Sequence, residues 1–113
     1  MIDRTTLRLR DIHQAIQDIR MLFDGKRFED MEKDRIRRAA FERFLKVISE
    51  ASKHIPESER QQHAHIPWRQ IADIGNHLRH AYHCVDPGIL WDVYLHDLDP
   101  LEEAVGAMLQ TRR

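Results

Sequence analysis

The stretch GNHLRHAYH, residues 75–83, places three histidines and an arginine within nine positions, with Asn76 just after the opening glycine. Histidine titrates near neutrality and can give or take a proton. Arginine stays charged and matches a phosphate through two parallel hydrogen bonds. These residue types fit three readings: a proton-transfer site, a metal site, or the polar side of a helix. Wound as a helix, with each residue turned about 100° from the last, the segment sorts into two faces. Ile71, Ile74, Leu78 and Ala81 form an apolar stripe, with Gly75 and Tyr82 at one margin. Arg69, Asp73, Asn76, His80 and His83 form the opposite row at three-and-four spacing, able to act together on one ligand. Arg79 sits at the edge of that row and His77 points away from it. Most such rows are solvated faces. The metal reading is weaker still: His80 and His83 stand at i, i+3, but no His-Glu-x-x-His pattern or cysteine cluster supplies further ligands. His63 and His65 fall in a polar loop, His13 and His54 on helices, and His96 beside Asp97, all positions typical of surface histidines.

The elements that must position this row are helical. Only 4 Gly and 4 Pro occur, and alternating apolar–polar runs are scarce. A first helix over about 3–23 carries Leu7, Ile12, Ile16, Ile19 and Phe23, and Gly25 suits its C-terminal cap. A second, over roughly 28–54, carries a long stripe from Phe28 and Met31 through Ile36, Ala40, Phe44, Leu45 and Ile48 to Ala51, and is the expected main core helix. Pro56 and Pro67 bracket a polar connection with room for one helical turn. The third helix starts near Pro67, a residue pre-organised for a first helical position, and runs to about Tyr82. Asp86 followed by Pro87 reads as an N-cap and first-turn proline, and Pro100 is expected to kink or restart the last segment. Trp68, Trp91 and the apolar run ILWDVYL (89–95) read as core, with any exposed part of that run suited to a dimer seam. The expectation is a single all-α domain over 1–113, an antiparallel helical bundle.

Composition narrows the partners. A length of 113 residues, 42% hydrophobic and 33% charged, fits one folded domain. Lys and Arg number 18 against 19 Asp and Glu, a net charge of −1, so any anion binding comes from a local cluster rather than a global field. KDRIRRAAFERFLK (33–46) is basic on one side. A solvated face is its default meaning, and only proximity to His80 would make it an RNA-guiding patch. Cys84 is the only cysteine, which with no signal-like start points to a reducing cytoplasm. No apolar run approaches the roughly 20 residues of a membrane span.

The segment IPWRQIADIGNHLRHAYHCVDPGILWDVYLHDLDPL (66–101) resembles the C-terminal signature of the HepT-like family of HEPN domains. FERFLKVISEA (41–51) is similar to that family's long central helix, with Glu42, Arg43, Ile48, Glu50 and Ala51 in place, and LRDIHQAIQDIRMLFDGKRFED fits its opening helix. The resemblance implies a four-to-five-helix bundle that dimerises, and a metal-independent endoribonuclease toxin without cofactor. Such toxins pair with a minimal nucleotidyltransferase antitoxin that adenylylates the motif tyrosine. Their motif is Arg, four residues, His, one residue, Tyr. On this chain the histidine is His80, the tyrosine Tyr82, and the accompanying asparagine Asn76, while the arginine position falls on Gly75. Arg79, directly before His80, is the first candidate to replace that cation, and Arg69 on the same face is the second.

RNA cleavage without metal needs a base for the ribose 2′-OH, an acid for the leaving 5′-oxygen, and positive charge at the phosphate. The expectation is that His80 transfers protons, Arg79 or Arg69 clamps the phosphate, Asn76 orients, and His83 assists in RNA binding. One central histidine per chain favours a two-fold dimer with both His80 rings in one groove. The competing expectation is a helical dimer that contacts a nucleotide or a nucleotidyltransferase partner without cleaving RNA. A bundle that only dimerises, with no ligand, is the third.

Overall fold

A computed structural model describes residues 2–80 and 86–112, and for Arg79 and His80 the backbone alone. It is an all-α bundle, with no strand among the described residues. The elements are α1 (Arg4–Phe23), α2 (Phe28–Lys33), α3 (Arg35–Ser52), α4 (Glu57–Gln61), α5 (Trp68–His80), α6 (Pro87–Asp92), a π-helical turn (Val93–Asp97) and α7 (Leu98–Gln110).

Helix α1 begins where the Asp3 carboxylate accepts the Thr6 N–H at 2.7 Å, filling one of the orphan donors of a first turn. The same bonds hold the Asp3 carboxyl below its ordinary pKa. Leu9, Ile12, Ile16, Ile19 and Phe23 are fully buried along it. Leu7 is not: it precedes Ile12 by five residues, about 140° off the stripe, and is 48% exposed, while Leu9 takes its place in the core. Gly25 adopts φ +69°, the left-handed turn that ends a helix without a Cβ penalty.

The second expected helix is two helices. Asp34 breaks it, because its side chain accepts the N–H groups of Ile36 and Arg37 at 3.1 and 3.0 Å and so caps a new helix. Ile36, at the start of α3 and five residues before Phe41, consequently faces solvent. Helix α3 also ends at Ser52, leaving His54 in the turn that follows. The short turn expected between the prolines is α4, and α5 starts one residue after Pro67, whose carbonyl accepts the Ile71 N–H.

Asp86 caps α6 by accepting the Gly88 N–H at 2.8 Å, with Pro87 in the first turn. The wide π turn then holds His96, whose carbonyl a proline four residues on would strike in a regular helix, and α7 restarts before Pro100.

Helix α3 packs between α1 and α5, and α7 covers another side of α1. The end of α1 meets the first half of α3 through Phe23 and Phe41, with ring centroids 4.9 Å apart, so the two run antiparallel. Phe23 also meets Trp91 and Tyr94 edge-on at 5.2 and 5.3 Å, which seats the ILWDVYL run in the core. Ile89 and Leu95 of that run stay exposed. Arg20 joins α1 to α7, donating to Asp99 at 2.5 Å and Glu102 at 2.9 Å, and the Asp99 contact raises the affinity of its guanidinium for the proton. Among the described residues no helix is long and apolar enough to cross a membrane.

Candidate functional site

Helix α5 carries the histidine-rich strip, and its two sides differ as their spacing predicts. Trp68, Ile71 and Leu78 are buried and Ile74 is half-buried against the core. Trp68 is anchored further by its indole N–H, which donates to the carbonyls of Arg60 and His63 at 3.1 and 3.0 Å. Arg69, Asp73 and Asn76 are exposed on the opposite side, and His77 is exposed as well. Arg79 and His80 are the last two described positions of this helix, and the backbone carries His80 one turn beyond Asn76. Ala81, Tyr82, His83 and Cys84 lie outside the described residues.

Gly75 is a point of close approach between α5 and α3. Its N–H donates to the Ser49 hydroxyl at 3.0 Å, and that hydroxyl donates to the Ala72 carbonyl at 2.7 Å. Ser49 is completely buried. A Cβ at position 75 would lie 2.5 Å from Ser49 Oγ and 3.0 Å from Ser49 Cβ, well inside contact distance. Position 75 is therefore closed to an arginine side chain without a shift of the two helices. Ser49 was not among the residues singled out by spacing. The signal that points to it is the glycine itself, since Gly inside a helix costs about 1 kcal/mol relative to Ala and calls for a packing reason.

Among the described residues, concave surfaces open on several sides of α5. An open groove of about 660 Å³ runs between α4 and α5 and takes in Arg69 and Asp73. A smaller one, about 390 Å³, lies between α5 and α6 and is lined by His77, Asp92 and Asp97 among others. Burial there pushes the Asp97 carboxyl above its ordinary pKa, against the pull of the neighbouring His96. The third, about 410 Å³, opens between α1, α3 and α5 at Gly75. His63 and His65 sit in the turn before α5 with ring centroids 6.2 Å apart. Among the described residues no three His, Cys, Asp or Glu side chains come together as a metal site.

The described part of the strip thus has a solvent-facing asparagine one turn before a histidine, on a helix held to the core by its other side. Comparison with known proteins gives it a context. Residues 12–108 match the family described as Ribonuclease HepT-like. A protein named "probable ribonuclease HepT" from Thermococcus cleftensis is 38% identical over 94 residues, covering 83% of this chain and 86% of that one. A "putative RNase" of Caldanaerobacter subterraneus subsp. tengcongensis is 33% identical over 105 residues, covering 90% and 94%. Another protein so named, from Methanocaldococcus jannaschii, is 30% identical over 101 residues, covering 86% and 84%. No solved structure matches. With nearly all of its helical core inside the matched span, the chain belongs to the ribonuclease HepT-like family.

Proposed function

We propose that this protein is a metal-independent endoribonuclease whose active face is the exposed side of α5. The observation that carries the reading is the family match over 12–108, which contains the whole of α5. In the proposed reaction a histidine takes the ribose 2′-OH proton and the 2′-oxygen attacks phosphorus. The P–O5′ bond then breaks, and a second histidine protonates the leaving 5′-oxygen. His80 fills both roles when two copies of the chain bring their His80 rings to one groove. Asn76 orients the imidazole or donates to a phosphate oxygen, Arg79 or Arg69 holds the phosphate, and His83 lines the path of the strand. The exposed Ile89 and Leu95 support a seam between the copies.

In this proposal one domain over 1–113 acts as the toxin of a toxin–antitoxin pair in the cytoplasm. A minimal nucleotidyltransferase encoded alongside restrains it by adenylylating Tyr82. One observation favours the alternative of a binding module without cleavage: Gly75 occupies the position of the family's motif arginine and is pressed against Ser49. Incubating RNA in excess chelator with the purified protein, either untreated or treated beforehand with the nucleotidyltransferase, ATP and Mg²⁺, separates the two. The proposal expects cleavage that the partner and ATP suppress. Intact RNA under both conditions, with a stable complex between the two proteins, would support the binding module instead.

A further inference from the structure

The basic face of α3 and the strip on α5 share a cavity. The third concave surface, about 410 Å³ between α1, α3 and α5, is lined by Arg8, Asp11, Arg43, Lys46, Glu50 and Gly75, among others. Its charges are unevenly matched. Arg8 has Asp11 one turn away at 3.9 Å, and Glu50 has Lys53 at 3.4 Å as well as further partners. Among the described residues neither Arg43 nor Lys46 has an ion-pair partner. They stand at i, i+3 on α3, a spacing that puts Cβ atoms about 5–6 Å apart, so the like charges repel and an anion between them would relieve the repulsion. Gly75 lines the α5 side of the cavity, its N–H held by the Ser49 hydroxyl. The next residue, Asn76, faces solvent, and His80 follows about 6 Å further along the helix axis.

We infer that Arg43 and Lys46 form a phosphate subsite for the RNA strand, in the cavity that opens beside Gly75. The inference rests on the ribonuclease reading for its ligand, though not for its geometry. A strand phosphate held there lies against α5 at Gly75, one residue before Asn76 in the chain, and the strand continues from α3 toward the proposed active face. The basic patch on α3 then serves to guide RNA rather than only to solvate a helix.

The test is fluorescence anisotropy of a labelled single-stranded oligoribonucleotide in chelator across a salt series, with cleavage followed separately. Wild type is compared with Arg43→Gln/Lys46→Gln and with Lys26→Gln/Lys33→Gln, which removes the same charge from the distant cavity beside α2. The expected result is affinity lowered about tenfold in the first pair, and a log–log salt slope reduced by about 1.4, two contacts at about 0.7 each, with the control near wild type. The swap Arg43→Lys/Lys46→Arg should keep binding; a loss as large as with glutamine would place the effect on folding and overturn the subsite. A first pair indistinguishable from the control, while wild type still cleaves RNA, would overturn the subsite and leave the ribonuclease reading standing. Binding that depends on Arg43 and Lys46 without any cleavage would keep the subsite and remove the ribonuclease. Dependence seen with ATP and not with the strand, or no strand binding at low salt, would overturn the subsite.

Discussion

The two sides of α5 obey different constraints. One side is fixed by volume: Ile71 and Leu78 fill the core, and Gly75 leaves only enough room for the Ser49 hydroxyl that bonds both its N–H and the Ala72 carbonyl. The other side, Arg69, Asp73 and Asn76, touches solvent and is free of packing demands. The difference teaches that the packed side sets where the polar side points. It also explains why position 75 is closed to a long cation, while α3, one helix away, presents Arg43 and Lys46 at the same cavity.

The comparison breaks if the packed side proves tolerant. Ile71→Ala is expected to cost about 2–5 kcal/mol, the range for deleting a buried aliphatic side chain, read from chemical denaturation. Gly75→Ala sets about 1–3 kcal/mol of overpacking against about 1 kcal/mol of improved helix propensity, so a net loss of about 1 kcal/mol is expected. The loss should shrink by at least about 0.5 kcal/mol in a Ser49→Ala background, because the crowding oxygen is gone, and a double-mutant cycle measures that coupling. Additive effects would mean that the two residues do not meet as described.

The cavity between α5 and α6, which Asp97 lines, is probed by pH. Burial raises the Asp97 pKa, so the folded state favours the protonated form. The ionised group then costs stability as pH rises above the ordinary value of 3.8, and no cost exists below it. Asp97→Asn should therefore raise the thermal midpoint at neutral pH and leave it unchanged in acid. Solvent reaches the group, so a gain of only a few tenths of a kcal/mol is expected. At the exposed end of the scale, Asn76→Ala should change stability by less than about 0.5 kcal/mol while lowering RNA cleavage, a separation that a packing residue cannot show.

The fold was legible in sequence wherever a local rule acted alone. The apolar spacing in α1 and α5, Gly25 as a terminator, and Asp86–Pro87 as a helix start each follow from a few neighbouring residues. The reading failed at Asp34, where a side chain competing for backbone N–H groups outweighed a continuous stripe, and at Leu7 and Ile36, which lie about 140° from the residues they were grouped with. For the candidate site, the sorting of Arg69 and Asn76 to the solvent side was legible because one helix contains them. The Ser49–Gly75 contact and the position of Arg43 and Lys46 beside α5 were not, since each joins residues 26 or more apart and depends on how two helices cross. Spacing within one helix carries no information about that crossing.

The central claim is that the exposed side of α5 cleaves RNA through His80. Its most direct test is RNA cleavage in excess chelator by the purified wild-type protein and by His80→Ala, each with its thermal midpoint recorded. The account predicts cleavage by the wild type, a loss of at least about 100-fold in the variant, and little change in midpoint. Undiminished cleavage by a folded His80→Ala protein would contradict it.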